Sequence, residues 1–280
     1  MVKLAKKLAE FSICYEKLHT IYLKKIELPD DFKKIKSDPF LAILYFTVFV
    51  HERQGSNPDF QKFHRIAIRK SLNGSDFSTK LLNDKYFPDR VWRKFKELTN
   101  NKPNEKNTKG PVRDILEEMQ KASEPNIIEL LGGMTIKNAY NFLLGFKGIG
   151  NKISAFILRD LQNFFKLWEV PNDDLYRLQP VDRWVIRFSE LCWPSEPWTD
   201  KHSRNAKIIV ERCTKHNINP ISFNQGAWFV GSHYTDLCRY HKISEDESID
   251  LVNSVLRFDK EKVIMGIEEY EKKRDVIFVV

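Results

Sequence analysis

The sequence predicts an all-α protein. Apolar residues recur at three- and four-residue spacing through most of the chain, which is the period of an amphipathic helix. Alternating patterns typical of strands are almost absent, the exception being residues 276–280, which could form a strand or an apolar tail packed on the body. Proline, glycine and aspartate separate the helical stretches. With 280 residues, 42% of them hydrophobic, the chain can bury one large core or two modest ones.

The first part of the chain predicts an N-terminal helical region and then a buried helix. Residues 2–27 have helical apolar spacing interrupted by lysines, which favours one amphipathic helix or a pair, ended by Pro29. Asp38 and Pro39 form a helix-start signal before an apolar stretch that reaches about His51. This stretch is too short to cross a bilayer, so we expect a core helix. A turn at 54–58 precedes a helix at about 59–72.

Residues 88–98 are predicted to form a basic helix. Its cations form either a solvated face or a phosphate contact; they are Arg90, Arg93, Lys94 and Lys96. Residues 100–110 are the most polar stretch and predict a flexible surface loop. Beyond this loop, the periodicity predicts helices at about 111–121, 126–131, 135–144, 152–166, 182–192, 200–215, 222–241, 246–254 and 259–273.

Charge and cysteine content narrow the class of protein. The net charge of +8 favours polyanionic partners, so nucleic acid is the first partner to consider. Four widely spaced cysteines indicate buried thiols in a reducing compartment and argue against an iron–sulfur cluster. Cys213, His216, Cys238 and His241 are ligand types that zinc accepts, but a spacing of three is routine at helix ends, so we predict no metal. We expect a soluble protein without a membrane partner, cytoplasmic and nucleoid-associated in a prokaryote or nuclear in a eukaryote.

Residues 135–166 predict two helices joined by a tight glycine hairpin. Gly148 and Gly150 permit a positive φ and carry no Cβ atom. Backbone N–H groups at the start of the second helix can therefore approach an anion such as a DNA phosphate. An ordinary αα-hairpin uses glycine for the same turn, so the motif alone leaves both interpretations open.

The second helix of this hairpin carries an apolar stripe and two cations. Lys152 and Arg159 are seven residues apart and share a face away from the stripe, so they either face solvent or present two cations to a ligand. The stripe consists of Ile153, Phe156, Ile157, Leu161, Phe164 and Phe165.

Asp182 begins a further helix, within the sequence Val-Asp-Arg-Trp-Val-Ile-Arg at 181–187. A helix N-cap is a sufficient structural reason for this aspartate. The combination of the glycine hairpin, Lys152 and this downstream motif resembles the helix-hairpin-helix DNA glycosylases, over roughly residues 38–241. The resemblance implies two helical subdomains flanking a DNA-binding cleft. One is a central helical barrel at 35–180, with the helix-hairpin-helix motif at about 135–166, and the other is formed by 1–34 plus 181–280.

The resemblance also implies a mechanism. In lysine-bearing members, the hairpin lysine attacks C1′ of a damaged nucleotide, forms a Schiff base and supports β-elimination of the strand, while the aspartate assists the nucleophile and stabilises positive charge on the sugar. Lys152 and Asp182 match these positions. An amine attacks only when it is neutral, so a cationic neighbour such as Arg159 would help. The chemistry needs no cofactor.

The resemblance is closer to the archaeal 8-oxoguanine (GO) DNA glycosylases, because about thirty residues separate Lys152 from Asp182. This likeness implies that Trp228 stacks on the flipped base, with Phe60 as the opposing aromatic and Asn224 in the base pocket. The chain departs from the pattern at Phe60, where a tryptophan is expected, and at Asn224, where an aspartate is expected. The implied DNA backbone contacts are Gly148, Ile149, Gly150, Asn151 and Arg159.

We therefore expect a monomeric, bifunctional DNA glycosylase and AP lyase that removes 8-oxoguanine from double-stranded DNA. Two alternatives remain open. Because Asn224 carries no charge, the substrate could be another damaged base. The chain could also be a non-catalytic helix-hairpin-helix module in which Lys152 only contacts phosphate.

Overall fold

The computed structural model describes residues 2–50, 59–99, 110–234, 255–256, 261 and 263–267. Every regular element within these residues is helical, which confirms the all-α prediction. The elements are α1 (Val2–Glu10), α2 (Ser12–Lys25), α3 (Phe32–Ser37), α4 (Pro39–Val50), α5 (Asp59–Leu72), α6 (Phe77–Asn83), α7 (Phe87–Leu98), α8 (Pro111–Ala122), α9 (Ile127–Gly132), α10 (Ile136–Leu144), α11 (Asn151–Phe165), a 3₁₀ helix (Asn172–Leu178), α12 (Arg183–Cys192), α13 (His202–Lys215), α14 (Pro220–Phe229) and a π-helical turn (Val230–Tyr234).

The predicted helices between 111 and 215 agree closely with the observed ones, and the N-terminal region forms a pair, broken at Phe11. The helix predicted at 222–241 is helical where the structure describes it, because α14 is followed without a break by the π-helical turn to Tyr234; residues 235–241 lie outside the described residues. At this turn the backbone lies against an indole ring, since a Cβ atom on Gly231 would lie 2.5 Å from Cγ of Trp184. Residues 261 and 263–267, within the helix predicted at 259–273, are helical. Four predictions lie outside the described residues: the turn at 54–58, the loop at 100–109, the helix at 246–254 and the tail at 276–280.

The chain divides into two compact units. Unit A contains the described residues of 1–23 and 171–277, and unit B contains those of 24–170. The arrangement of two subdomains around a DNA-binding cleft stays a prediction.

Unit B is built on α4, in which every residue from Ala42 to Val50 is buried. The helix begins where Asp38 Oδ1 accepts the backbone N–H of Phe40 at 2.9 Å, as the Asp-Pro signal predicts. Aromatic rings join α4 to α11: the ring of Phe49 meets that of Phe156 edge-on at 5.4 Å, and Tyr45 meets Phe165 at 5.2 Å. These contacts hold α11 in the centre of unit B.

Residues 153–161 of α11 are all buried, and they include a charge pair. Arg159 is 0% exposed; its Nε donates to Asp160 Oδ1 at 2.8 Å, and its guanidinium lies 4.6 Å from the centre of the Phe156 ring. Burial, reinforced by the negative charge of Asp160, holds the pKa of Tyr45 well above its ordinary value. The prediction that Arg159 shares an accessible face with Lys152 and contacts DNA is therefore wrong, because a helix buried on all sides has no solvent face at this position.

Unit A is built around α14. Helix α1 crosses it so closely that a Cβ atom on Gly226 would lie 1.7 Å from the carbonyl oxygen of Leu8, and only glycine fits there. Phe11 and Phe229 stack beside this crossing, with ring centres 6.2 Å apart. On another side of α14, Phe223 packs on Trp193, the C-cap of α12. Helix α14 thereby positions α12, which carries Asp182 at its start.

We predict that Asp160→Asn lowers the free energy of unfolding by about 3 kcal/mol, because it removes the carboxylate that pairs with the buried Arg159 guanidinium. Urea unfolding measures the change. Glu97→Gln is the control, since the Lys94–Glu97 pair is exposed, and it should alter stability little. An Asp160→Asn variant as stable as the parent would contradict the importance of this pair.

Candidate functional site

The hairpin between α10 and α11 contains one residue that must be glycine. Gly148 has φ of 97°, in the left-handed region that favours glycine, as the sequence predicts. The turn is closed by the N–H of Ile149, which donates to the carbonyl of Phe146 at 3.0 Å. Both of these side chains are buried, so the hairpin is anchored to unit B. The burial of Ile149 leaves its backbone, and not its side chain, as a possible ligand contact.

Gly150 serves a different purpose from Gly148. Its φ of −102° is ordinary extended backbone, so the positive φ that glycine permits is not used at this position. A Cβ atom here would meet nothing within 4 Å, so the space beside Gly150 is open. Gly150 is also the N-cap of α11 and has no side chain to bond the first N–H groups of the helix. The start of α11 is thus an accessible, uncapped helix N-terminus.

Lys152 is the second residue of α11 and is half-buried. Among the described residues it forms no ion pair with a carboxylate. Its neighbour Asn151 is exposed, and the Asn151 Oδ1 accepts the hydroxyl of Tyr140 at 3.2 Å, which ties the start of α11 to α10. The two helices of the hairpin therefore fix where the backbone of Lys152 lies. Arg159, buried and paired with Asp160, neither faces a phosphate nor offers Lys152 an unpaired cation.

Asp182, in unit A, is the N-cap of α12. Its Oδ1 accepts the N–H groups of Trp184 and Val185, each at 2.9 Å, which confirms the predicted capping role. Within the part of the chain that the structure describes, Oδ2 accepts no hydrogen bond. The carboxylate is half-exposed, so one oxygen holds the helix while the other is available to a ligand.

Two further side chains hold residues 180–182. The Nδ2 of Asn224 donates to the carbonyl of Pro180 at 3.2 Å, and the Nε2 of His202 accepts the N–H of Val181 at 3.1 Å. Asn224 is fully buried on α14, and His202 begins α13. Each residue of this segment thus has a fixed partner, and we call Asn224 and His202 the clamp on Asp182. Nothing in the sequence around His202 predicts this contact, because its partner Val181 lies 21 positions away.

The residues predicted for base recognition are mostly buried. Trp228 is 8% exposed and packs edge-on against Tyr15, with ring centres 5.6 Å apart. Asn224 lies one helical turn before Trp228 on α14, so these two predicted pocket residues are neighbours within unit A. Phe60 belongs to unit B, where it is 8% exposed and packs on Phe95.

Gln225, which the sequence analysis also missed, is fully buried on α14 three residues before Trp228. Neither its Oε1 nor its Nε2 has a hydrogen-bond partner among the described residues. A buried amide without partners is unfavourable to folding, so it is a candidate for a role in ligand binding. The sequence signal is weak: two amides, Asn224 and Gln225, interrupt an otherwise apolar stretch.

The predicted site residues are divided between the two units. Unit B contains the hairpin, Lys152 and Phe60, whereas unit A contains Asp182, Asn224 and Trp228. Convergence of Lys152 and Asp182 on one substrate stays a prediction.

The described cysteines are buried thiols, as predicted: Cys14, Cys192 and Cys213. Burial raises the pKa of Cys192 to about 12 and the pKa of Cys213 further still. The Cys238 and His241 half of the weighed zinc pattern lies outside the described residues. Over the described ranges, no group of three or more histidine, cysteine or acidic side chains comes together to bind a metal.

The clamp predicts a pH dependence of stability. Burial lowers the pKa of His202 to about 4, below the unfolded value of about 6.5, so the unfolded state binds more protons between these values. The stabilisation is complete above pH 6.5 and falls by up to about 3 kcal/mol as the pH drops to 4, because protonated Nε2 cannot accept the Val181 N–H. Urea unfolding from pH 4 to 8 measures this change in the free energy of unfolding. The His202→Gln variant should lose this pH dependence of the unfolding free energy. The control variant His216→Gln, at the other end of α13, should keep the pH dependence of the parent. Equal pH profiles for His202→Gln and the parent would refute the prediction.

None of the described helices is long and apolar enough to span a membrane. Comparison of the chain with protein-family models, with curated proteins and with solved structures finds no match in any of the three.

Proposed function

We propose that this protein is a bifunctional DNA glycosylase and AP lyase that excises an oxidised purine, with 8-oxoguanine as the favoured substrate. One observation carries the proposal. Lys152 lies half-buried at the uncapped N-terminus of α11, directly after the Gly148 turn, and forms no ion pair with any residue that the structure describes. This arrangement supplies an amine and an anion-binding backbone at the same place, as attack on a DNA sugar requires.

Phosphate binding at the hairpin is supported by its geometry. The first N–H groups of α11 have no side-chain cap, and the space beside Gly150 is open, so a phosphate oxygen could approach them closely. The positive end of the helix dipole favours an anion at this point. The net charge of +8 attracts DNA over longer distances.

The proposed reaction begins at the Nζ atom of Lys152. Its lone pair forms a bond to C1′ as the bond between C1′ and the base breaks, and the base leaves with the electrons of the broken bond and takes up a proton that the attacking nitrogen loses. The remaining lone pair of this nitrogen then expels O4′, which takes a proton from water, and this opening of the sugar ring gives a protonated Schiff base between Lys152 and C1′. Loss of a C2′ proton to a base allows the C3′–O bond to break, which expels the 3′ strand with its phosphate. Water hydrolyses the remaining Schiff base and restores the amine.

Asp182 has the geometry to stabilise positive charge on the sugar. Its Oδ1 is occupied by two amide donors of α12, while Oδ2 accepts no bond among the described residues. A carboxylate held in this way cannot rotate freely, so its free oxygen is preorganised for the developing cation. The clamp formed by Asn224 and His202 fixes the backbone on which this carboxylate stands.

Base recognition is assigned to the neighbourhood of Trp228. A glycosylase must remove the target base from the stack and hold it against aromatic side chains while polar groups read its edge. Trp228 supplies an indole, and Gln225 supplies a buried amide whose donor and acceptor have no partner in the described structure. An amide of this kind suits the edge of a base, which presents both donors and acceptors.

Lys152→Gln tests the nucleophile. In the presence of borohydride, the parent protein should form a covalent adduct with duplex DNA containing 8-oxoguanine, because reduction traps the Schiff base. The variant should form no adduct while it retains affinity for a duplex carrying a stable abasic analogue. Lys147→Gln is the matched control, since this exposed lysine lies in the same hairpin, and it should still be trapped.

The outcome separates the alternatives. An adduct formed only with a different lesion would assign another substrate. Absence of an adduct with every lesion and with abasic DNA, while DNA is still bound, would overturn the enzyme proposal in favour of a binding module.

Asp182→Asn separates catalysis from helix capping. Asparagine caps helices about as well as aspartate, so the variant should remain within about 0.5 kcal/mol of the parent in urea unfolding. Its single-turnover rate of base release should fall at least about a hundredfold, because the free oxygen no longer carries charge. Asp182→Ala should lose about 1 kcal/mol of stability as well as activity. An Asp182→Asn protein with the parent's rate would limit Asp182 to its structural role.

A further inference from the structure

Two arginines stack on one tryptophan in the first turns of α12, directly after Asp182. The guanidinium carbons of Arg183 and Arg187 lie 5.1 Å and 5.9 Å from the centre of the Trp184 ring. Both arginines are exposed, and Trp184 is half-buried. We call these three residues the α12 arginine cluster. None of the predicted site residues belongs to it.

The charges of this cluster are not neutralised within the described structure, where neither arginine lies within 4 Å of a carboxylate. Glu190 follows Arg187 by three positions on α12 but forms no ion pair with it. A second cluster in unit A is different: Arg177 stacks on Tyr176 at 4.4 Å but is paired with Asp174. The arginines of α12 therefore present positive charge to solvent, whereas Arg177 does not.

The tryptophan under the arginines is held in place by the protein backbone. A Cβ atom on Gly231 would lie 2.5 Å from the Trp184 Cγ, so the π-helical turn presses directly on the indole. A ring fixed in this way restricts the guanidinium groups that stack on it. Less conformational entropy is then lost when these groups bind an anion, which favours binding.

A guanidinium group is suited to phosphate, because its planar N–H donors match two phosphate oxygens. Arg183 is the first residue of α12 and Arg187 is about one turn further, so both stand close along the chain to the carboxylate of Asp182. The positive net charge of the protein makes a polyanion the matching partner.

We propose that the α12 arginine cluster binds backbone phosphates of duplex DNA beside the nucleotide on whose sugar Asp182 acts. This inference rests on the proposed function and extends it, since it adds a second phosphate contact in unit A to the hairpin contact of unit B. This contact would align the sugar of the target nucleotide with the carboxylate of Asp182. It carries no sequence information, because phosphates are the same at every base.

The salt dependence of DNA binding tests the cluster. The dissociation constant is measured by fluorescence anisotropy from 50 to 200 mM salt, on a duplex with a stable abasic analogue, for the parent, Arg183→Gln, Arg187→Gln and the double variant. Each lost phosphate contact should reduce the slope of log K against log salt by about 0.9, so the double variant should lose about 1.8. Arg187→Lys should keep the slope but bind several-fold more weakly, because lysine keeps the charge and loses the planar fork.

Lys215→Gln is the matched control. This exposed lysine lies at the last residue of α13, about 20 Å along the helix from His202, the residue that bonds Val181. The Lys215→Gln substitution removes one positive charge from the same unit, so it shows the general effect of net charge on the salt dependence of DNA binding. Its slope should equal that of the parent. Equal slopes for the double variant and for Lys215→Gln would overturn the inference.

A second measurement separates this inference from the proposed function. At saturating protein, borohydride should still trap the double variant on 8-oxoguanine DNA, but more slowly than the parent, because Lys152 is unchanged while the phosphate contact that aligns Asp182 with the sugar is lost. If the parent is never trapped and the slope still falls, the glycosylase proposal fails while the phosphate contact remains. If the parent is trapped and the slope does not change, the contact fails and the enzyme proposal remains. Equal circular dichroism spectra of the variants and the parent verify folding.

Discussion

The position of Lys152 depends on the burial of the helix behind it. Residues 153–161 of α11 are enclosed on every side, and the Arg159–Asp160 pair is part of this enclosed segment. A helix enclosed in this way cannot roll or slide without disrupting its apolar contacts, which is unfavourable. The accessible start of the helix is then fixed with respect to unit B. The chemistry proposed for Lys152 thus begins with a packing constraint that lies several residues away from the amine.

Asp182 serves the fold through one carboxylate oxygen and, under the proposed function, serves the reaction through the other. The two amide bonds to Oδ1 are what any N-cap aspartate makes, and taken alone they explain its presence. The bonds around it are less ordinary, because Pro180 and Val181 are each held by a side chain from a different helix. Helix capping does not require this additional restraint. A carboxylate that must meet a substrate at a defined angle does benefit from it.

Much of the fold could be predicted from the sequence, because helix period, proline and capping residues are local signals. The starts of α4 and α12 follow from Asp38 and Asp182. What could not be predicted depends on distant contacts. A helical wheel places Arg159 with Lys152 on an accessible face, but Arg159 is fully buried in the folded protein. Likewise, nothing in the sequence near Gly231 indicates that its backbone lies against Trp184, where a π-helical turn follows α14. His202 and Gln225 were missed for the same reason.

Asn224 acquires a physical explanation that the resemblance alone does not provide. The archaeal pattern has an aspartate here, yet this side chain is fully buried and donates a hydrogen bond to the Pro180 carbonyl. An ionised carboxylate has no hydrogen to donate, and burying its charge opposite a carbonyl oxygen would be strongly unfavourable. The contact that Asn224 makes therefore requires a hydrogen-bond donor, which an amide supplies and an ionised carboxylate does not. Under the proposed function, Asn224 is a positioning residue for Asp182, and other groups read the polar edge of the base; Gln225 is suited to this, because its amide has no hydrogen-bond partner among the described residues. An asparagine at this position is thus compatible with excision of a damaged base. Under the proposed function, residues other than Asn224 determine which base is recognised.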